Sequence, residues 1–369
     1  MIENNLSKAP KTATKEKTLQ RKWVNGLLHW HQTDNRRHMP WKGEKDPYKI
    51  WLSEIILQQT RVEQGLPYYQ RFIAAFPTVF DLANAPEQQV FKLWEGLGYY
   101  TRCRNLIATA QYITTQLNGV FPNTYDAIVT LKGIGPYTAA AIASFAYNLP
   151  YAVVDGNVFR VLSRIYDIDT PIDMPEGKKQ FAVLAQQILP KKQSAAYNQA
   201  IMDFGATVCK PVPECAHCFF NQYCGAYLHG KQQNLPVKAK RTKVKERWFN
   251  YIVLNYQNQY AVHQRTEKDI WQNLYEFLLL ETEAEVSEPA LLSLLKKQYG
   301  LLKKDCSSIQ YQTDVVQRLS HQLIHFSFTH ITLKTYRDIP GFEWISKNRL
   351  AEFAFPKTLH HYVQKHLLK

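Results

Sequence analysis

Four of the six cysteines fall at Cys209, Cys215, Cys218 and Cys224, in a C-x5-C-x2-C-x5-C pattern. This run obliges a short stretch of chain to close around one centre. Four soft thiolate donors suit an iron–sulfur cluster or Zn²⁺, and spacing alone does not choose between them. The remaining two, Cys103 and Cys306, lie far away in sequence. A disulfide framework is disfavoured. Such frameworks belong to small secreted domains, whereas this chain has 369 residues and its polar start, Met1–Thr18, has no apolar signal region.

That length exceeds one typical core, so two domains and a linker are expected. The formal net charge of +14 favours a polyanionic partner, above all nucleic acid. A membrane surface is the other anion to consider, but no apolar run reaches the length of a membrane span. A reducing, cytoplasmic setting agrees with metal-bound thiolates.

The pattern is helical from Leu19 to Tyr227, with Pro and Gly marking the boundaries at Pro77, Pro86, Gly96, Gly98, Gly119 and Pro122. Residues 1–18 read as a disordered tail and 19–229 as one helical domain. Between Gly230 and Arg247 seven Lys or Arg stand against one Glu, which reads as a basic linker. From Trp248 the period changes to that of strands, expected at 248–256, 260–264, 275–280, 321–328 and 331–337, with helices at 289–299 and 359–368. The 248–369 domain is therefore α+β.

Between two helical stretches lies Leu131-Lys132-Gly133-Ile134-Gly135-Pro136-Tyr137-Thr138-Ala139 (131–139). Gly133 and Gly135 permit a tight turn whose backbone amides converge on an anion at a helix start. Pro136 suits the first helical turn. A packing turn is the plain alternative; a hairpin gripping a DNA phosphate is the functional one.

Two carboxylates complete the set. Glu54 shares a helical stripe with Trp51 and Leu57, so it points among apolar side chains, where desolvation raises a carboxyl toward general-acid duty. A core-edge Glu paired with a cation is the bland reading. Asp155 follows an apolar run and precedes a helix, as an N-cap does, and a capping carboxylate stays ionised. One protonated and one charged carboxyl divide the labour of breaking a glycosidic bond through an oxocarbenium-like state.

With these in order the chain resembles the helix–hairpin–helix DNA glycosylases that carry a [4Fe–4S] cluster, and among them the MutY-type adenine glycosylases. The strings that carry the resemblance are M-P-W (39–41), D-P-Y-K-I-W-L-S-E-I-I-L-Q-Q-T (46–60), W-E-G-L-G-Y-Y-T-R-C-R-N-L (94–106), L-K-G-I-G-P-Y-T-A (131–139), V-D-G-N-V-F-R-V-L (154–162), N-Q-A-I-M-D-F-G-A (198–206) and the four cysteines. It implies a mainly α helix–hairpin–helix glycosylase fold with an iron–sulfur cluster loop, followed by an α+β Nudix-like domain that inspects the opposite base. It implies removal of adenine mispaired with 8-oxoguanine or guanine in double-stranded DNA, with a [4Fe–4S] cluster rather than Zn²⁺ on Cys209, Cys215, Cys218 and Cys224. Glu54 would protonate adenine at N7 and later activate water. Asp155 would stabilise the sugar cation or trap it covalently for a time, and Tyr137 would sit near both. Gln59 and Tyr99 would fill the stack vacated by the flipped base. Arg37, Met39, Trp41 and Gln199 would line the adenine pocket, and Gly133 and Gly135 would hold the backbone. A Lys in place of Tyr137 would form a Schiff base and cleave the strand; a phenol cannot, so a monofunctional enzyme is expected. The implied enzyme is a monomer acting at the nucleoid in the cytoplasm, with no membrane partner.

The chain departs from the family pattern in four places. The first cysteine spacing is five residues where the family shows six. No R-E-x-x-E-E helix follows Glu276, so nucleotide hydrolysis is not expected. The glycines that the family places before L-Y-E-F are absent. The family's F-S-H recognition loop is matched to His321-Gln322-Leu323-Ile324-His325, with Phe328-Thr329-His330 as the other register. In the first, Ile324 replaces the hydroxyl residue, and a lost hydrogen bond of about 1 kcal/mol would weaken the preference for 8-oxoguanine over guanine.

Overall fold

The structure, a computed structural model, describes residues 9–239 and 244–368. Contacts divide it into two compact units: the described residues of 1–59 and 112–240, and those of 60–111 and 241–369.

The first unit is helical, and among its described residues there is no strand. Its helices are α1 (Ala9–Thr33) and α2 (Pro47–Leu57). Further along, α3 (Val62–Ala75), α4 (Val79–Asn84) and α5 (Glu87–Trp94) belong to the second unit, and α6 (Thr101–Gln116) runs across the boundary. The first unit resumes with α7 (Tyr125–Val129), α8 (Pro136–Tyr147), α9 (Gly156–Ile165), α10 (Pro175–Ile188), α11 (Ser194–Thr207) and the short α12 (Gly225–Leu228). Sequence chemistry accounts for the starts. Asp46 caps α2 by accepting from the Tyr48 amide at 2.9 Å, with Pro47 in the first turn. Pro136 stands likewise in the first turn of α8, after Gly135. Ala139, Ala140, Ala141 and Ala143 in α8 are buried, and these small side chains let α2 pack closely against it. Around Trp23 a core forms from Leu27, Val161, Phe181, Ile201 and Phe220, and the Trp23 indole donates to the Tyr197 hydroxyl at 3.0 Å.

The expected disordered tail is corrected in part: α1 begins at Ala9, because Ala, Lys, Glu and Gln sustain a helix once Pro10 has started it. Residues 1–8 lie outside the described residues. The basic linker is also corrected where it is described. Leu235 is buried, its carbonyl accepts from Arg164, and the Val237 carbonyl accepts from the Ile172 amide, so residues 231–239 pack on the first unit. Strand β1 starts within the expected linker, at Lys245.

In the second unit a seven-stranded sheet is built from β1 (Lys245–Tyr256), β2 (Gln259–Gln264), β3 (Tyr275–Glu276), β4 (Leu278–Thr282), β5 (Cys306–Arg318), β6 (Gln322–Leu333) and β7 (Glu343–Ser346). The central β1 pairs antiparallel with β2 and β4, and parallel with β6. Its middle, Phe249–Leu254, is buried without alternation, as befits a strand covered on both faces. Gln257 and Asn258 both adopt left-handed backbone, the two-residue turn that matches strand twist. Two helices, α13 (Glu288–Tyr299) and α14 (Lys357–Tyr362), complete the α+β arrangement. The two strands expected at 321–328 and 331–337 are one strand, β6, since Thr329 and His330 pair with Ile252 and Val253 in an unbroken ladder. Helices α3–α5 join this unit through specific bonds. The Glu95 carboxyl accepts from the Phe355 amide at 2.9 Å and pairs with His360 at 2.9 Å, and Lys92 donates to the Phe353 carbonyl at 3.0 Å.

Candidate active site and DNA-contacting residues

Glu54 sits on α2 with 8 % of its surface exposed, against α8. Burial pushes its carboxyl up to about 7. The Tyr137 hydroxyl, which donates to it, pulls the other way, and the nearby Asp155 charge adds to the rise. Tyr137 stands in the first turn of α8, immediately after the glycine hairpin. Its own ionisation is pushed far up by burial and by both carboxylates, so it remains a neutral donor.

Asp155 caps α9: Oδ1 accepts from the Val158 amide at 2.7 Å and Oδ2 from the Asn157 side chain at 2.7 Å. Burial raises its carboxyl above the ordinary value, opposed by those donors and by Arg160. The structure thus brings Glu54, Tyr137 and Asp155 together. Its two carboxyls occupy different settings, one wrapped in apolar surface with a single phenol, the other held by amides.

Asn157 continues the chain of contacts. Its Oδ1 accepts from Arg160 at 2.8 Å, and the same guanidinium donates to the Gly205 carbonyl at 2.7 Å and the Cys209 carbonyl at 2.8 Å. Gly205 is required here, because a Cβ would lie 2.7 Å from Asn157 Cβ.

Cys209, Cys215, Cys218 and Cys224 are free, partly buried, and line one cavity with Arg164. Arg164 Nη1 donates to Cys209 Sγ at 3.4 Å and the Phe220 amide to Cys218 Sγ at 3.5 Å. Burial pushes the Cys218 thiol up to about 11, so thiolates in this setting need a cation. Among the described residues no three metal-binding side chains are already drawn to a common point. The donor set nevertheless fits a thiolate-held centre: four sulfurs, with a guanidinium and an amide directed at them.

The adenine-pocket candidates divide. Arg37 and Gln199 meet at Asp203, at 2.9 Å and 3.1 Å. Met39 and Trp41 lie partly buried in the turn that precedes α2. Sequence reasoning does not single out Asp203, although it lies in the 198–206 string; an Asp one helical turn after Gln199 is the available signal.

At the hairpin, Gly133 has φ +78 and needs to be glycine, and both Gly133 and Gly135 are exposed. Gln59 and Tyr99 hold left-handed backbone at φ 58 and φ 50, strain that side chains of this size rarely accept. Tyr99 is exposed and its hydroxyl is hydrogen-bonded to the Ser320 hydroxyl, with the Arg102 guanidinium 5.4 Å from its ring. Tyr99 and Ser320 line a cavity of about 440 Å³ with Arg104, Trp271 and His321.

This overturns the expected recognition register. Ile324 is fully buried inside β6 and cannot meet a base. His325 stacks on Trp248 at 4.8 Å instead. The second register fails equally, since Phe328 and Thr329 are 2 % and 1 % exposed. The exposed turn between β5 and β6 is Leu319-Ser320-His321, closed by the Leu319 amide on the Gln322 carbonyl at 2.7 Å. It presents the Ser320 hydroxyl next to His321.

Residues 52–190 match the model of the HhH-GPD superfamily base excision DNA repair proteins, and 250–365 the NUDIX domain model. The adenine DNA glycosylase of Buchnera aphidicola subsp. Baizongia pistaciae is 35 % identical over 305 residues, covering 82 % of each chain. The chain belongs to the adenine DNA glycosylase family. The Homo sapiens member is 29 % identical, spanning 87 % of this chain and 69 % of its own. Among solved structures, a thermostable thymine-DNA glycosylase superposes with a TM-score of 0.53 at 28 % identity, over 58 % of this chain and 99 % of its own. Endonuclease III in a trapped covalent DNA intermediate shares the fold at a TM-score of 0.51 and 20 % identity. This adenine DNA glycosylase is thus a base-excision repair enzyme with DNA as its partner. No described helix is long and apolar enough to cross a membrane.

Proposed function

We propose that this enzyme removes adenine mispaired with 8-oxoguanine or guanine, and that it does so without cutting the strand. The observation that carries the chemistry is the Glu54 carboxyl, buried, hydrogen-bonded by Tyr137 and raised to about 7 beside Asp155. A protonated Glu54 donates to N7 of a flipped adenine, which turns the base into a neutral leaving group. The C1′–N9 bond then breaks with its electron pair on the base, and the sugar cation forms next to Asp155. Glu54, now a carboxylate, takes a proton from the water that attacks C1′. Flipping costs least at a mispair, and the strained backbone of Gln59 and Tyr99 suits them to holding the vacated stack.

Tyr137 offers no amine, so no Schiff base forms and the product is an intact abasic strand. Opposite-base reading falls to Tyr99 and the Leu319-Ser320-His321 turn. Ser320 keeps the hydroxyl, so the preference for 8-oxoguanine is retained rather than weakened. A [4Fe–4S] cluster would be held by Cys209, Cys215, Cys218 and Cys224, where it would fix the geometry of the loop. The enzyme acts as a monomer, in the cytoplasm at the nucleoid.

Single-turnover excision on duplexes with A opposite 8-oxoguanine, G, C or T tests the reading. Expected are release opposite 8-oxoguanine and G, strand breakage only after alkali, and loss of release in Glu54→Gln. Breakage without alkali, or borohydride trapping on DNA, would refute the monofunctional mechanism.

A further inference from the structure

The Asp203 side chain has no exposed surface, yet four donors converge on it. Oδ1 accepts from Arg37 Nη1 at 2.9 Å and Gln199 Nε2 at 3.1 Å; Oδ2 accepts from Lys42 Nζ at 2.7 Å and Asn35 Nδ2 at 2.8 Å. A carboxylate has about four lone-pair directions, and all are used. Two cations and two amides face it, so nothing there can accept a proton from it or give it a second role.

This arrangement dictates which end of the Gln199 amide faces outward. Turning Gln199 over would set its carbonyl oxygen against Oδ1, acceptor against acceptor. Nε2 therefore points inward and Oε1 outward, and Oε1 makes no hydrogen bond among the described residues. An outward carbonyl accepts from a purine 6-amino group and repels a 6-oxo group.

We infer that Asp203 is a positioning residue that selects 6-amino over 6-oxo purines by fixing the polarity of the Gln199 amide. The inference rests on the adenine-excision reading above, with Gln199 facing the flipped base. It gives the site a means of sparing guanine and hypoxanthine that needs no steric block.

The consequence of Asp203→Asn follows from which partner can turn. Asn35 is fixed at both ends, its Nδ2 also 2.9 Å from His31 and its Oδ1 accepting from the Arg37 amide at 3.0 Å. Lys42 can only donate. Arg37 can likewise only donate, so either orientation sets one cation against the new NH₂. With the carbonyl kept on Lys42 and Asn35 only the Arg37 contact is lost, whereas the reverse loses both Lys42 and Asn35. The new NH₂ therefore faces Gln199 and the partly exposed Arg37. Gln199, held by one bond, turns over and presents its NH₂ outward. A Gln199→Glu change added to Asp203→Asn restores an outward acceptor, since one oxygen of the introduced carboxylate takes the new NH₂ at position 203 and the other faces the pocket.

The experiment is single-turnover excision of adenine and of hypoxanthine opposite the same 8-oxoguanine, in the wild type, Asp203→Asn and Asp203→Asn/Gln199→Glu. Expected is a fall in the adenine-to-hypoxanthine rate ratio of about ten- to a hundredfold in the single variant, and recovery of most of it in the double variant. Equal losses on both bases with no rescue would overturn the inference and leave the glycosylase reading standing. Failure of the wild type to release adenine at all would instead refute that reading. If Asp203→Asn does not fold, as judged by its circular dichroism melt, the partly exposed Gln199→Ala is read in its place. Collapse of the base preference there supports the inference, and an unchanged preference overturns it.

Discussion

The raised Glu54 carboxyl carries a cost in stability that a single substitution should expose. An isolated glutamate titrates near 4.5 and this one near 7, so the folded state binds its proton more tightly than the unfolded state does. Below the unfolded value both states are protonated and no penalty exists. Between 4.5 and about 7 the unfolded chain gives up the proton while the folded one holds it, and stability falls as pH rises. Above about 7 the folded protein carries a buried charge, and the accumulated penalty is about 3 kcal/mol at 1.36 kcal/mol per pH unit. Glutamine keeps the size and still accepts from the Tyr137 hydroxyl, but it has no proton to lose. Glu54→Gln should therefore be inactive yet more stable than the wild type at pH 8, by roughly 3 kcal/mol relative to the difference at pH 4.5. Urea unfolding of both proteins at half-unit steps from pH 4.5 to 8 measures this. A stability difference that does not change across that range would refute the reasoning, because the carboxyl would then not be held protonated by its surroundings.

Other substitutions test other contacts. Tyr137→Phe removes a donor that holds the Glu54 carboxyl down, so the alkaline limb of the excision rate should move to higher pH; a pH–rate profile under single turnover reads the shift. Ser320→Ala breaks the bond to Tyr99 and should reduce the 8-oxoguanine-to-guanine rate ratio by roughly fivefold, the size of one hydrogen bond, while sparing A:G excision. Arg160→Gln removes donors from Asn157, Gly205 and Cys209 and should slow excision by roughly tenfold or more with DNA affinity unchanged, checked by comparing the rate with a binding isotherm. With several phosphates contacted, DNA affinity should fall steeply and linearly on a log–log plot against salt, which titrations at several ionic strengths would show.

Much of the first site can be read from sequence because each residue announces itself locally. Asp155 sits where an N-cap must sit, Glu54 interrupts an apolar stripe, and Pro136 after Gly135 marks a helix start. Asp203 is not legible in this way. Arg37 and Lys42 reach it across more than 160 positions of sequence, and no local pattern encodes that meeting. The proposed recognition turn is easily misplaced because the strand that continues it, β6, is rich in histidine and aromatics, so the F-S-H pattern can be laid along it in several registers; only burial rejects Ile324 and Thr329. Strand β5 escapes sequence reading because it is an edge strand, many of whose residues, such as Ser307, Ser308 and Gln310, are polar, and among the described residues it pairs with β6 alone. The helices are easier, since a 3.6-residue period is a property of the segment itself, whereas a strand owes its existence to its neighbours.

The division of the chain into units has a consequence for synthesis. The polypeptide enters the second unit at residue 60, leaves after 111 and returns at 241. Helices α3–α5 thus emerge from the ribosome well before the sheet they belong with, and all of residues 112–240 must be made in the interval. During that time Glu95, whose side chain ends up 8 % exposed, has Lys92 to answer its charge, while its other partners among the described residues, Phe355 and His360, do not yet exist. A fragment ending near 239 would be arrested in that state, so residues 241–369 complete a unit begun early in the chain.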